Sequence, residues 1–121
     1  GHNPSGRPWR VAIAGQGERL FDLSDAAIAG SGDYLQNWRG SGIEKGKLFT
    51  HIADPKSGRL VEIRQRGIAG VTVQAPTCEL ADALATAAMA FDKESELNTW
   101  IASMQKKHPT IIFWLLERGK R

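Results

Sequence analysis

The sequence predicts an α+β domain: a mixed or antiparallel sheet, two consecutive helices and a closing C-terminal strand. Three observations predict it. Short β-branched and aromatic segments punctuated by turn residues fill the first 75 positions. An Ala- and Leu-rich stretch and an amphipathic stretch then follow with little between them. The last apolar run, Ile111 to Leu116, has the length of a strand. Strands, then helices, then a strand is the order of α+β rather than of alternating β/α units.

Taken in order, Pro8 to Ala14 reads as the first strand. Arg19–Leu23 and Ala26–Ala29 follow as short strands separated by the turn formers Ser24 and Asp25. Gly15-Gln16-Gly17 lacks the spacing and the following helix of a dinucleotide fingerprint, so a hairpin turn is expected there. Ser31 to Gly46, rich in Gly, Ser, Asp and Asn, is expected to be a long loop, which in a compact domain usually has a function. Phe49–Ile52 extends briefly into Asp54-Pro55-Lys56-Ser57-Gly58, a turn in which Pro55 presets φ and Gly58 accepts a conformation closed to other residues. Leu60–Gln65 and Ile68–Gln74 are two further strands. Thr77–Phe91 is a helix with Thr77 as N-cap after Pro76 and Glu79 at its positive end. Lys93–Lys107 is a second, because Leu97, Trp100, Ile101 and Met104 fall on one face. Lys106, Lys107 and His108 suit its C-terminus, and Pro109 stops it. Thr110–Leu116 closes the order.

At 121 residues the chain is the size of one domain, with the 41% hydrophobic and 24% charged residues of a globular protein. No run of about eighteen apolar residues offers a membrane-spanning helix. The net charge is +3, but sixteen basic residues are scattered among thirteen acids. A nucleic-acid surface needs a concentrated patch, so no nucleic-acid partner is expected. The only clusters are Arg64 with Arg66, and Arg118 to Arg121 at an end expected to fray. The single Cys78 excludes an intrachain disulfide and a multi-Cys zinc site, and is expected to be a buried structural thiol. Of the four tryptophans, Trp9, Trp100 and Trp114 are expected in the core and Trp38 on the surface. Gly1 stands where an initiating Met would, with no leader after it, so the chain is expected to be a processed or truncated piece of a longer protein.

Asp82 and Thr86, four residues apart, share one face of the Ala-rich helix and can offer two hard oxygen ligands to Mg²⁺ or Ca²⁺. Ala81, Ala83, Ala85 and Ala87 around them would let a cofactor or another backbone come close. The same spacing also fits an Asp82 that caps or pairs locally and a Thr86 packed in the core. His51 and Asp54 could do acid–base work or simply fix the turn by bonding to its backbone. Ser31-Gly32-Asp33-Tyr34 could hold an anion on its hydroxyl and backbone N–H groups. Nucleophile elbows, Ser-His-Asp order and phosphate-binding Gly-Lys-Ser/Thr are absent from the sequence.

Read together, Asn3-Pro4-Ser5-Gly6-Arg7-Pro8-Trp9-Arg10-Val11, Ala26 through Tyr34, His51 through Gly58, Val71-Thr72-Val73 and Ala81 through Ala87 resemble, in order, the C-terminal region of the ApbE-type FAD:protein FMN transferases. The resemblance covers nearly the whole chain, residues 1–121, and implies that the N-terminal half of such an enzyme lies outside it. It implies that Asp82 and Thr86 bind magnesium and that His51 and Ile52 lie near the bound flavin, with Asp54 and Gly58 shaping the turn. The implied reaction is metal-assisted phosphoryl transfer, in which a threonine hydroxyl of an acceptor protein attacks the FMN phosphorus of FAD and AMP leaves. Water as acceptor would instead make the protein an FAD pyrophosphatase giving FMN and AMP, and loss of turnover would leave a non-catalytic flavin-binding module. Gly30, where the family usually has Thr, and Ser57, in place of a commoner Thr, depart from the pattern. The resemblance further implies an acceptor in a redox membrane complex and a full-length parent lipid-anchored on the periplasmic side of the inner membrane. With half of the enzyme missing, the isolated chain is expected to be inactive.

Overall fold

The computed structural model describes residues 1–13, 20–34, 36–64 and 67–119. Eight strands, two helices and one 3₁₀ turn are present among them, in the predicted α+β order. Strands β1 (Trp9–Ala12) and β2 (Leu20–Leu23) form an antiparallel pair. The expected Gly15-Gln16-Gly17 turn between them lies outside the described residues. Asp25 in the following turn has φ of +49°, a left-handed conformation that Asp tolerates better than most residues. β3 (Ala27–Gly32), β7 (Ile68–Ala75) and β8 (Ile112–Glu117) make an antiparallel sheet in the order β3-β7-β8. β4 (Asn37–Arg39), β5 (Leu48–Ala53) and β6 (Leu60–Ile63) make another.

The segment expected as one long loop is therefore not one. Ser31 and Gly32 complete β3, Asn37–Arg39 is a strand, and Gly42–Glu44 forms a 3₁₀ turn. The Gly- and Ser-rich composition concealed the cross-strand pair Trp38↔Phe49, and tertiary pairing overrode the local preference for loop. Gly40 is required at the mouth of this hairpin, because a Cβ there would sit 2.3 Å from the Glu44 carbonyl oxygen.

β7 is the centre of the molecule. Val71, Val73 and Ala75 point at α1 (Cys78–Met89), whose Ala81, Ala85 and Ala88 form, with the larger Leu84, a stripe packed with them in the core. Small residues on the helix let it lie close to the sheet, which keeps density high without large side chains. On the other face, Trp114 of β8 meets Phe21 of β2 edge-on at 4.5 Å, so the β1-β2 pair covers that side. The second helix, α2 (Glu94–Lys107), follows at once. It buries Leu97 and lays Trp100 between Phe91 and Phe113, at 5.4 and 5.6 Å. Its stripe is the one the periodicity predicts, with Trp100, Ile101 and Met104 packed against the core.

Helix starts agree with the sequence. The Thr77 hydroxyl accepts from the Leu80 N–H at 3.3 Å, capping α1. Two expectations about side chains are corrected. Cys78 is exposed, because as the first residue of α1 it points away from the stripe that meets the sheet. Trp9 is 52% exposed, since β1 lies at the edge of a two-stranded pair with little beyond it to bury the ring. Trp38 is exposed as expected.

Candidate functional site

α1 divides its residues by period. The stripe Ala81, Leu84, Ala85, Ala88 is buried, which leaves Asp82, Ala83, Thr86 and Ala87 on the outward side. Asp82 and Thr86 are thus exposed, one turn apart, on the same face. Neither side chain makes a hydrogen bond or an ion pair among the described residues. Thr86 does not pack in the core and Asp82 does not cap the helix, a role Thr77 fills. Ala83 and Ala87 flank them without screening them. Two hard oxygens on a face with no bulky neighbour suit a divalent cation with oxygen ligands. No group of three or more His, Cys, Asp or Glu gathers among the described residues, so other ligands would be water, substrate oxygens or other groups.

The second element of the site is the end of β5 and the turn after it. Pairing between β5 and β6 shifts register between Phe49 and Ala53. The irregularity would leave backbone groups unpaired, and Thr50 takes them up: its hydroxyl accepts from the Ile52 N–H at 2.9 Å and donates to the Ile52 carbonyl at 3.0 Å. Thr50 is 2% exposed. The alternation of the strand turns His51 to solvent and Thr50 and Ile52 inward, Ile52 joining the core cluster with Val71 and Val73. Of the two residues the resemblance places near flavin, His51 therefore presents a side chain outward and Ile52 contributes from within the core.

Asp54 works as the turn's internal anchor. Its carboxylate accepts from the Lys56 N–H at 2.9 Å, and its carbonyl accepts from Gly58 at 2.8 Å. Gly58 has φ of +68°, the left-handed conformation the turn requires. The Lys56 N–H, then the Ser57 hydroxyl, hold the Asp54 carboxyl below its ordinary value. Among the two readings of His51 with Asp54, the geometry favours the turn-fixing one for Asp54.

These two elements share a groove of about 440 Å³. Asp54, Pro55 and Lys56 form one wall; Ala87 and Ala90 of the α1 end, with Phe91 and Trp100, form another. The turn and the C-terminal end of the helix therefore face one another across the groove, and Thr86 is next in sequence to its lining residue Ala87. Asp82 and His51 lie outside that lining. Ser31-Gly32-Asp33-Tyr34 is not an open anion cradle at Asp33: that side chain is 3% exposed and paired with Arg118 at 2.5 Å. Arg118 is correspondingly tied down rather than frayed, while residues 120–121 of the expected frayed cluster lie outside the described residues. Thr50, Phe91 and the Asp33–Arg118 pair escaped sequence reasoning: Thr50 bonds Ile52 two residues on and Phe91 stacks on Trp100 of the next helix, contacts without a periodic signal, while Asp33 and Arg118 lie 85 residues apart.

The sequence profile of the ApbE family matches residues 1–112. A FAD:protein FMN transferase of Chlamydia pneumoniae is 42% identical over 100 residues, covering 83% of this chain and 30% of that protein. The Escherichia coli K12 FAD:protein FMN transferase is 34% identical over 100 residues, covering 78% of this chain and 26% of its own length. Among solved structures, the apo form of the flavinyl transferase ApbE of Pseudomonas stutzeri superposes with a TM-score of 0.67 at 28% identity, over 95% of this chain and 33% of that one. The ApbE protein of Thermotoga maritima shares the fold, with a TM-score of 0.66 at 24% identity, over 95% of this chain and 35% of that one. The chain thus spans about 30% of the length of the Chlamydia relatives it matches. With the profile running through nearly every element of the fold, the chain belongs to the ApbE family.

Proposed function

We propose that this chain is the C-terminal portion of a Mg²⁺-dependent flavin transferase that moves FMN from FAD onto a threonine of an acceptor protein, releasing AMP. The observation that carries the reading is the outward, unpartnered presentation of Asp82 and Thr86 on one face of α1. The FAD:protein FMN transferase activity of the Chlamydia and E. coli relatives supports it.

In this reading Asp82 and Thr86 hold the cation through a carboxylate and a hydroxyl oxygen. When bound, the ion supplies positive charge against a pyrophosphate. The packing of Ala81 and Ala85 on β7 keeps α1 from rotating, so both oxygens stay on the substrate side. The alternation of β5 turns His51 outward, its ring nitrogens available to bond a flavin edge, and Ile52 supports the pocket from beneath. Asp54 and Gly58 hold the turn that walls the groove. The acceptor is proposed to be a subunit of a redox membrane complex, with the full-length protein held at the periplasmic face by a lipid anchor. The 121-residue chain by itself is proposed to be inactive.

The test uses the full-length protein with FAD, Mg²⁺ and a candidate acceptor, following AMP release together with covalent flavin fluorescence. AMP with a labelled acceptor, both lost in Asp82→Ala, is the expected result. AMP with free FMN and no labelling would replace the transferase with a hydrolase, and neither product would leave a flavin-binding module.

A further inference from the structure

Asp33 and Arg118 lie 85 residues apart in sequence and form an ion pair at the same end of the β3-β7-β8 sheet. Asp33 follows β3 directly and Arg118 follows β8, so the pair bridges the two outer strands across the start of β7. The backbone is tied down on both sides: Asp33 N–H donates to Ala69 at 3.1 Å, and Arg118 N–H donates to Gly67 at 2.7 Å. Four residues after Asp33 the chain enters β4, and Asn37 donates its side-chain amide to the Asp33 carbonyl at 3.4 Å. The pair also lines a cavity of about 60 Å³ whose other walls include Thr50 of β5, Ile63 of β6, Ala88 of α1 and Leu97 of α2. It therefore stands at the seam where both three-stranded sheets and both helices meet.

Maximal stability does not explain the choice of residues. The Asp33 side chain is nearly fully buried, yet its Oδ1 has no hydrogen-bond partner among the described residues. A half-satisfied buried carboxylate is a poor stabiliser, and an apolar pair of similar volume is commonly as good or better. What an ion pair adds is a single permitted geometry, because a guanidinium and a carboxylate meet in few orientations.

We propose that the Asp33–Arg118 pair is the joint that holds the β4-β5-β6 sheet, with His51 and the 54–58 turn, in register with the α1 helix that carries Asp82 and Thr86. Both are positioning residues for the candidate site, and this role rests on the flavin-transferase reading. The joint itself does not.

The experiment compares the full-length wild-type protein with Asp33→Asn, Arg118→Met and Arg118→Lys by hydrogen exchange and by steady-state FMN transfer. In the Asn and Met variants, amides within 48–63 are expected to exchange at least about tenfold faster while α1 keeps its protection, since local opening is separable from global unfolding. Arg118→Lys, which keeps the charge but loses the planar guanidinium, recovers little of the protection, and full recovery by Lys would overturn the fixed-geometry role of the pair. The turnover number falls about 10- to 100-fold with little change in the KM for FAD, as expected when reacting groups are misplaced rather than lost. Unchanged exchange in 48–63 overturns the joint. So does equal acceleration in 48–63 and α1, which would make the pair ordinary core stabilisation. Localised loosening with unchanged turnover overturns the positioning role. If the wild type transfers no FMN, the functional reading fails, while the exchange pattern still decides the joint.

Discussion

Asp82 is a surface residue in the middle of a helix, and its chemistry is separable from its structural cost. Ala has a higher helix propensity than Asp, and no partner among the described residues is lost on substitution. Asp82→Ala is therefore expected to leave the melting temperature of the full-length protein unchanged or raise it slightly, a change of about 0.5 kcal/mol or less. In the wild type Mg²⁺ should raise the melting temperature, and in the variant it should not. A calorimetric scan with and without the ion checks both halves, and a large drop without metal would mean that Asp82 serves the fold. Asp54 provides a test by pH. Its folded-state carboxyl is held below the ordinary value, chiefly by the Lys56 N–H, so its contribution is present above the unfolded value. It is lost as pH falls through the depressed folded value. An NMR titration should show Asp54 titrating below an exposed aspartate, with the 54–58 turn loosening only in that acidic range. An ordinary midpoint would remove the anchor role.

The elements make sharper mechanical statements. The α1 cap consists of one hydroxyl, so Thr77→Ala should cost about 1 kcal/mol, read as a lower urea midpoint with an unchanged slope. α2 is held largely by Leu97, which is 2% exposed, and Leu97→Ala should cost about 2–5 kcal/mol by leaving a cavity between α1 and α2. A loss below about 1 kcal/mol would mean that the site collapses without strain. The bulge in β5 is an element-scale device as well. Thr50 closes it by bonding both backbone groups of Ile52, while the strand's own alternation puts His51 and Ile52 on opposite sides of the sheet.

At the scale of the molecule, α1 sits with one face on β7 and the other, bearing Asp82 and Thr86, uncovered. The chain spans about 30% of its Chlamydia relatives, so under the proposed function most of such an enzyme lies outside these 121 residues. The isolated 121 residues, mixed with FAD and Mg²⁺, are therefore expected to release no AMP above background, whereas the full-length protein should do so. Measurable FMN transfer by the isolated chain would overturn that expectation.

The sequence by itself determined the elements whose signal is local. α1 and α2 were legible to within two residues because Ala-rich propensity, the Thr77 cap and the Leu97–Met104 stripe are all written within a few turns of the chain. The turn at 54–58 was legible for the same reason, since Pro55 and Gly58 act on their own dihedrals. The spacing of Asp82 and Thr86 could be read as one helix face, and period alone decided that they share it. Only the tertiary structure decided which face. The sheet took Ala81, Leu84, Ala85 and Ala88, and so left the oxygen-bearing pair outside. It likewise made a strand of Asn37–Arg39 by pairing it with β5, exposed Cys78 and Trp9, and joined Asp33 to Arg118. A cross-strand partner, an ion pair 85 residues apart and the surfaces that the rest of the fold leaves uncovered leave no periodic mark in a single sequence.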